Sequence, residues 1–297
     1  MNGKSDLKEL MKNPLDISKL NHEAVISILN EGKKALNNDF LLLEFPNQAL
    51  GSDIYVIGDI HGNLKSLIEL IQIINAKNPN LVIFLGDLVD RGPYQLECFL
   101  TVLILKILEP KRYYILKGNH ESEEINKYYG FYEDFTQKLG HKVQFNSINE
   151  IYALLPYCVL INENILCLHG GIPEDIGFLT KIKGKKVENV SSMSGNLKVS
   201  LLQVLWNDPK EGIFGFSESY RGPGIKFFGE DAFNAFMEYN NLSNIIRAHE
   251  MFQEGYKWFF NKRLLSIFSS ENYRGKYYPN PASYAVIKEN QIYARLL

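Results

Sequence analysis

Residues 54–62 read Ile-Tyr-Val-Ile-Gly-Asp-Ile-His-Gly, and two later stretches share this order of an apolar run, a glycine and polar residues. The second stretch, 81–92, reads Leu-Val-Ile-Phe-Leu-Gly-Asp-Leu-Val-Asp-Arg-Gly, and the third, 113–121, reads Tyr-Tyr-Ile-Leu-Lys-Gly-Asn-His-Glu. Apolar runs of this kind, rich in β-branched and aromatic residues, are typical of buried strands. Helices predicted between them, over 64–74 and 95–108, imply parallel pairing, so the carboxyl ends of the strands should lie side by side.

The polar residues that follow the three runs are carboxylates, imidazoles and one amide. Ligands usually bind at loops along the carboxyl edge of an open α/β sheet. A glycine beside the polar residues lets the backbone turn sharply and approach an ion closely. Asp, His and Asn side chains gathered at one edge are the ligand set of hard or borderline divalent metals. The sequence therefore predicts a metal site.

Further motifs narrow this prediction to one family. They lie at 126–133, 205–209, 221–222, 247–250, 254–256 and 272–273. Together with the glycine motifs, they resemble the phosphoprotein phosphatase (PPP) family within the calcineurin-like metallophosphoesterases, from about residue 20 to the C terminus. The resemblance implies an α/β fold, a four-layer α-β-β-α sandwich with two mixed sheets flanked by helices. It also implies hydrolysis of phosphoserine and phosphothreonine in proteins, by direct attack of a water that bridges two divalent metal ions.

The resemblance assigns the metal ligands residue by residue. The implied ligands are Asp59 and His61 for one ion, Asn119, His169 and His249 for the other, and Asp87 as the bridge between them. Asn119 is also an expected substrate contact. Manganese is the ion expected in vitro, and iron and zinc also suit this ligand mix. Taken singly, either aspartate could instead cap a helix, Asn119 could shape a turn and His169 could be structural.

The resemblance also assigns the catalytic and substrate-binding groups. His120 is the expected general acid for the leaving alkoxide, and Asp90 would hold its other ring nitrogen, fix the tautomer and raise the pKa of the ring. Arg91 and Arg221 are the expected bidentate phosphate clamps. Tyr273 is expected to contact the substrate at the rim of the site. Either arginine could instead form a surface ion pair.

Composition limits the class of protein. The chain has 297 residues, of which 45% are hydrophobic, and this is enough for a large core. The net charge of −2 gives no basic bias toward nucleic acid, and no apolar run reaches the ~18 residues of a membrane span. We therefore expect neither nucleic acid nor membrane as a partner. The resemblance implies phosphoprotein substrates, and the sequence does not identify any regulatory proteins.

The cysteines and the histidines give further predictions. Three scattered cysteines, Cys98, Cys158 and Cys167, argue against a disulfide framework, so packing roles and a cytoplasmic location are expected. Of six histidines, four fall in the motifs, while His22 and His141 lie in polar surroundings and are expected to be surface residues.

The remaining pattern predicts a single catalytic domain over 21–297, preceded by a loose leader over 1–20. A helix is predicted from the N-cap Asn21 to Ala35. The other predicted elements are a strand at 40–45, helices at 121–139 and 151–155, a hairpin over 157–168, and strands at 244–246, 256–260, 264–268, 284–288 and 292–296. The Lys-, Gly- and Ser-rich stretch 181–200 has no clear period, departs from the family's shorter pattern and is predicted to be a surface excursion.

Residues 274–280, Arg-Gly-Lys-Tyr-Tyr-Pro-Asn, depart from the family at the rim of the site, where a cysteine and an acidic loop are usual. Arg274 and Lys276 place two cations there. We expect a preference for phosphopeptides with acidic flanks that weakens as salt rises. The alternative is that both side chains point to solvent and steer nothing.

Two other functions stay open at this point. One is a phosphoesterase that acts on small phosphates such as dinucleoside polyphosphates, and the other is an inactive metal-binding scaffold. The motifs at 129–133 and 247–250 favour the protein phosphatase over the first. The presence of every implied ligand and of both arginines argues against the second.

Overall fold

The computed structural model describes residues 3–37, 39–46, 53–140 and 143–297. His141, predicted to be a surface residue, lies outside them. The α-helices are α1 (Lys4–Leu10), α2 (His22–Leu36), α3 (Leu64–Lys77), α4 (Gln95–Leu108), α5 (Glu123–Tyr129), α6 (Phe131–Leu139), α7 (Asn146–Tyr152), α8 (Phe178–Ile182), α9 (Gly195–Trp206) and α10 (Glu230–Tyr239). Two 3₁₀-helices span Pro14–Lys19 and Val187–Ser192.

The strands form two mixed sheets and a small third one. They are β1 (Leu42–Phe45), β2 (Ile54–Ile57), β3 (Leu81–Phe84), β4 (Tyr113–Ile115), β5 (Cys158–Ile161), β6 (Ile165–Leu168), β7 (Asp208–Pro209), β8 (Phe216–Glu218), β9 (Lys226–Phe228), β10 (Asn244–Arg247), β11 (Tyr256–Phe259), β12 (Leu264–Ile267), β13 (Ser283–Lys288) and β14 (Gln291–Leu296). Strand order is β1-β5-β6-β10-β12-β11 in the first sheet, β14-β13-β2-β3-β4 in the second and β7-β9-β8 in the third.

Alternating apolar residues stack the two large sheets between layers of helices. In β2, Tyr55 and Ile57 belong to the core that the five-stranded sheet shares with α2, α3 and α4. Ile54 and Val56 point the other way and pack with β5, β6, β10 and β12 of the six-stranded sheet. A third core lies between that sheet and α8, α9 and α10. This confirms the predicted four-layer α-β-β-α sandwich.

The three motif strands are parallel neighbours, as the sequence predicts. Ile57 of β2 pairs with Phe84 of β3, and Phe84 pairs with Ile115 of β4. The carboxyl ends of the three strands are therefore level. In the six-stranded sheet, β6 and β10 also pair in parallel, and both end close to the same edge.

The prediction of a loose leader is wrong for the part of it that the structure describes. Residues 4–10 form α1 and residues 14–19 form a 3₁₀-helix. Leu7 and Ile17 are 5% and 2% exposed and belong to the core around α4. The apolar residues of this segment are few, so its packing depends on the surface that α2 and α4 offer, which periodicity alone does not reveal.

Two other segments also differ from expectation. The helix predicted over 121–139 is broken into α5 and α6 at Gly130, whose φ of 111° is outside the helical region. The stretch 181–200 is helical rather than irregular: it contains the end of α8, a 3₁₀-helix and the start of α9, where Ser194 accepts a hydrogen bond from Leu197 N. Val187 is buried, because the segment packs beside β1.

Three smaller predictions are confirmed: the N-cap of α2, the bounds of α4 and the packing role of the cysteines. Asn21 caps α2 by accepting a hydrogen bond from Ala24 N, and α4 has the predicted bounds. All three cysteines are free and buried. Among the residues that the structure describes, no helix is both long and apolar enough to cross a membrane.

Candidate metal centre

The loops that follow five strands bring the predicted polar residues to one place. Asp59, Asp87 and Asn119 follow β2, β3 and β4 of one sheet, while His169 and His249 follow β6 and β10 of the other. All five are less than a tenth exposed. The site is therefore built where the carboxyl edges of two packed sheets meet.

The backbone at this edge is unusual at five non-glycine residues. His61, Asp87, Asp90, Arg91 and His249 all have positive φ, between 47° and 75°. This left-handed region is sparsely populated by residues with a Cβ, and it persists only where surrounding structure enforces it. The coincidence of these positions with the predicted functional residues supports a shared functional role.

Gly118 and Glu121 join the loops after β3 and β4. A Cβ at Gly118 would collide with Asp87 Oδ1, so only glycine allows this approach. The buried Glu121 carboxylate accepts hydrogen bonds from Asp87 N at 2.9 Å, Leu88 N at 3.0 Å and Gly118 N at 2.7 Å. Glu121 thus fixes the position of Asp87.

Asp87 lies at the centre of the site. Its Oδ2 is 3.5 Å from both His61 Nε2 and His169 Nε2, and 4.0 Å from His120 Nε2. Its Oδ1 accepts a hydrogen bond from His120 N at 2.9 Å. Asp59 joins from the side of His61, with Oδ2 3.5 Å from His61 Nε2.

These residues form two groups that share one carboxylate. Candidate ligand atoms of His61, Asp87 and His120 lie within 4.8 Å of one another, and so do those of Asp87, His169 and His249. The first group contains His120, for which the sequence predicts a different role. In the second group, His169 Nε2 is 3.2 Å from His249 Nδ1 and 2.8 Å from the predicted ligand atom Asn119 Oδ1.

Hydrogen bonds set the orientation of the imidazoles. His61 Nδ1 is 2.8 Å from the carbonyl oxygen of Val89, and His169 Nδ1 is 3.0 Å from that of Leu85. Both Nδ1 atoms must therefore carry the proton. This leaves each Nε2 atom unprotonated and directed at Asp87, with a lone pair that can bind a metal ion. This is the form in which histidine binds metals.

The electrostatics of the site fit divalent cations. Burial and the neighbouring charges of Asp59 and Glu121 raise the pKa of Asp87 well above its ordinary value. Burial lowers the pKa of His169 to about 3, and burial with the nearby Arg221 lowers the pKa of His249 well below its ordinary value. The centre thus combines crowded carboxylates with neutral imidazoles, and cations would relieve that crowding.

Two buried atoms add to this fit. Asp59 Oδ2 and His249 Nε2 have no hydrogen-bond partner, although both are inaccessible to solvent. A buried polar atom without a partner costs free energy unless an unplaced ion or water satisfies it. At Asp59 this atom faces His61, on the side expected for one ion.

His120 and Asp90 form the expected pair. His120 Nδ1 is 2.7 Å from Asp90 Oδ2, which also accepts a hydrogen bond from Asn126 at 2.9 Å. Asp90 Oδ1 accepts one from Phe131 N at 3.0 Å. Burial raises the pKa of Asp90 to about 6. Burial, with the nearby His61, also lowers the pKa of His120 well below its ordinary value, so the prediction that the pKa of this ring is raised is wrong.

The predicted phosphate-binding groups line an open cleft above the centre. Its volume is about 550 Å³, and its lining includes Arg91, Arg221, His249, Tyr273 and Arg274. The Arg91 guanidinium stacks 3.6 Å above the ring of a neighbouring tyrosine. The Tyr273 ring stacks on His61 with centroids 5.0 Å apart, which places it at the rim, as expected.

A buried charge network supports Arg221. One carboxylate oxygen of Asp208 accepts a hydrogen bond from Arg221 Nε, and the other accepts one from Arg247 Nη2 at 2.9 Å. Arg247 is fully buried and also pairs with Glu250 at 2.8 Å. Burial raises the pKa of Glu250 to about 7, although Arg247 opposes the shift.

The sequence prediction gave no role to several of these supporting residues. All of them lie inside motifs that were recognised: Glu121, Asn126, Asp208, Arg247 and Glu250. The signal available was a charged residue beside an apolar strand, which needs a partner once it is buried. The partner of each could not be deduced, because it lies far away along the chain.

Comparison with known proteins identifies the relatives of this chain. The family model of calcineurin-like phosphoesterases matches residues 52–253. The serine/threonine-protein phosphatase 4 catalytic subunit of Candida glabrata is 32% identical over 269 residues, which cover 90% of this chain and 83% of that protein.

Solved structures give the same result at the level of fold. A protein serine/threonine phosphatase from Saccharomyces cerevisiae superposes with a TM-score of 0.86 at 26% identity, and the match covers 99% of this chain and 95% of the other. A cold-active protein-tyrosine phosphatase of a Shewanella species superposes with a TM-score of 0.59 at 14% identity, covering 89% and 82%. The second match shows a shared fold alone.

Proposed function

Since the chain belongs to the phosphoprotein phosphatase family of calcineurin-like phosphoesterases, we propose that it hydrolyses phosphoserine and phosphothreonine in proteins. The observation that carries this is the pair of ligand groups that share Asp87 beneath a cleft lined by arginines. A phosphomonoester dianion is repelled by its nucleophile and leaves as a poor alkoxide. The site offers cation ligands, phosphate clamps and a proton donor in one place.

The residues that would hold divalent cations are those predicted from the sequence. Asp59 and His61 serve one position, Asn119, His169 and His249 the other, and Asp87 both. When bound, such ions supply Lewis acidity, offsetting phosphoryl charge and lowering the pKa of water. Manganese, iron and zinc all suit these donors.

Arg91 and Arg221 bind the phosphoryl oxygens. A guanidinium presents two parallel N–H donors, so each arginine can bind the phosphate bidentately. The two are held differently: Arg91 by stacking on an aromatic ring, and Arg221 by Asp208. Tyr273, stacked on His61, and Asn119 complete the contacts to the substrate.

His120 gives the leaving oxygen its proton. Asp90 holds Nδ1, which leaves Nε2 as the ring atom that delivers the proton. The alkoxide of serine or threonine is strongly basic, so protonation as the P–O bond breaks accelerates departure by ~10²–10⁴-fold. An activated phenolate leaves without this help.

We also propose that the chain has one catalytic unit and a cytoplasmic location. Residues 21–297 act as one catalytic unit, because the three cores share the strands that carry the ligands. A cytoplasmic location agrees with three buried, free cysteines, because disulfides form in oxidising compartments and are rare in the cytosol.

The decisive experiment measures turnover after chelation and readdition of single metals. Substrates are peptides carrying phosphoserine, phosphothreonine or phosphotyrosine, together with a dinucleoside polyphosphate. We expect hydrolysis of the first two peptides only when metal is restored. Faster turnover of the dinucleotide would contradict the proposal in favour of a small-phosphate enzyme, and metal binding without any turnover would indicate a scaffold.

A further inference from the structure

A second cavity, about 570 Å³ in volume, lies at the amino end of α9 and is basic. Its lining includes Lys181, Lys183 and Lys185, with Asp175 as a single carboxylate. Thr180, Ser194 and Asn196 add hydrogen-bonding side chains, and Leu197 an apolar one. We call this the lysine cavity. Its charge contrasts with the net charge of −2 of the whole chain.

The three lysines are not equally neutralised. Lys181 Nζ is 2.6 Å from Asp175, and Lys183 Nζ is 2.7 Å from Glu44, which lies outside the lining. Among the described residues, no carboxylate lies within ion-pair distance of Lys185. The cavity therefore keeps a surplus of positive charge that an acidic ligand can use.

The backbone holds Lys185 in place. Its carbonyl oxygen accepts a hydrogen bond from Leu41 N at 2.8 Å, and the next residue, Lys186, forms a β-bridge with Phe40. Val187 is buried immediately after. The lysines thus project from a segment anchored to the edge of the six-stranded sheet, and a rigid presentation lowers the entropic cost of binding.

An apolar surface leads from the lysine cavity to the catalytic cleft. On α9, Val199 and Leu202 are 47% and 38% exposed, and with Trp206 they occupy one face at helical spacing. We call these three residues the α9 stripe. Leu202 and Trp206 also line a further cavity of about 620 Å³, which extends to Asn119 and Arg221. Along α9, the stripe therefore spans the interval between the lysine cavity and the cavity that reaches the phosphate clamps.

We propose that the lysine cavity and the α9 stripe dock an acidic segment of the phosphoprotein substrate, at a fixed distance from the phosphorylated residue. This rests on the proposed function. The choice of occupant follows from charge complementarity, since the surplus positive charge at Lys185 and the uncharged hydrogen-bonding groups around it favour a segment rich in carboxylates.

The length of α9 sets the spacing. At about 1.5 Å per residue, the helix places the lysine cavity about 16 Å from Trp206. An extended chain covers this distance in about five residues, at about 3.3 Å each. The Trp206 ring lies against that of the predicted ligand His249, with centroids 5.7 Å apart, so the phosphorylated residue would lie beside this end of the stripe. Glu123 and Glu124 line the nearer cavity, so acidic residues directly beside the phosphorylated residue gain nothing on this side. Apolar residues suit the stripe between.

The test compares phosphothreonine peptides that differ only in the position of three consecutive glutamates. The glutamates stand about five residues from the phosphothreonine, on either its N-terminal or its C-terminal side, with leucines between, or directly adjacent to it. For one of the two chain directions, we expect kcat/KM about fivefold above that of a glutamine peptide at low salt. The gain should appear in KM, decline with salt and be absent for the adjacent position on that side.

Two variants locate the effect. Lys185→Glu should abolish the gain without changing kcat on the glutamine peptide, and Val199→Gln should reduce it. Lys111→Glu is the matched control, because Lys111 is an exposed lysine that precedes β4, at the opposite end of the strand from the site. An equal effect of Lys111→Glu would overturn the proposal. So would the absence of any gain in the wild type when the glutamates stand about five residues from the phosphothreonine, on either side.

A binding measurement separates this proposal from the proposed function. The unphosphorylated acidic peptide, labelled with a fluorophore, should bind the wild type and Lys111→Glu equally, and Lys185→Glu about fivefold more weakly. Binding of this kind without hydrolysis of any phosphopeptide would contradict the proposed function and support the docking surface. Hydrolysis without such binding would contradict the docking surface alone.

Discussion

At the scale of single residues, hydrogen bonds from supporting residues fix the orientation of the groups in the site. Asp90 shows this most clearly: one oxygen accepts from Phe131 N, the other from Asn126 and His120. A carboxylate held at both oxygens cannot rotate, so it fixes the ring it contacts. The orientation of His120 is thus set by residues that do not touch the substrate.

Replacement of His120 by Asn tests its role as the acid. We expect kcat on a phosphothreonine peptide to fall by ~10²–10⁴-fold, and kcat on an aryl phosphate with an activated phenolate to fall much less, because only the alkoxide needs a proton. Steady-state kinetics on both substrates measures the difference. His22→Asn, which changes a histidine at the start of α2, should leave both rates unchanged. Equal losses would mean that His120 positions the phosphate instead.

At the scale of elements, the sequence predicted what depends on local pattern. Strands followed by Gly-Asp or Gly-Asn were located correctly, because β-branched runs and glycine mark both ends. The break at Gly130 was missed because periodicity does not reveal the turn between α5 and α6, which requires the positive φ of this glycine. The helices within 181–200 were missed because this stretch has few apolar residues, and the buried apolar face of α9 lies mostly beyond it, at Leu201, Val204 and Leu205.

The amino-terminal segment gives a test at this scale. Ile17 is 2% exposed and Leu15, in the same 3₁₀-helix, is 46% exposed. Ile17→Ala should lower the free energy of unfolding by about 2–4 kcal/mol, through lost burial and a cavity, and Leu15→Ala by less than about 0.5 kcal/mol. Denaturant titration measures both. Equal small effects would restore the prediction of a loose leader.

At the scale of the whole molecule, the catalytic cleft is positively charged although the net charge of the chain is negative. The chain carries −2, yet Arg91, Arg221 and Arg274 all line the catalytic cleft. Glu250 also lines this cleft, but the three arginines leave a surplus of positive charge, which concentrates anionic ligands and raises their association rate. Arg274 lies in the predicted rim segment. Lys276, by contrast, lies beside the exposed ring of Tyr277, 5.3 Å from its centroid.

Arg274→Gln should reduce discrimination between peptide flanks. For the wild type, we expect a several-fold higher kcat/KM on phosphothreonine peptides with acidic residues next to the phosphothreonine than on those with basic ones, on the side opposite the α9 stripe. The preference should decline between low and high salt because exposed charges are screened. Lys288→Gln, an exposed lysine in the last hairpin, serves as control. A basic preference at low salt, or none, would refute steering by the rim.

The central claim is that one carboxylate, Asp87, serves two cation positions in a phosphatase site. The measurement that tests it most directly is the number of metal ions bound per chain in Asp87→Asn, determined by elemental analysis together with turnover of a phosphothreonine peptide. Asparagine keeps the oxygen that accepts from His120 N, so the fold and thermal stability should persist. We predict two ions per wild-type chain, fewer than one in the variant, and at least a ~10²-fold loss of turnover. A folded Asp87→Asn protein that keeps near-normal turnover without added metal would contradict the account.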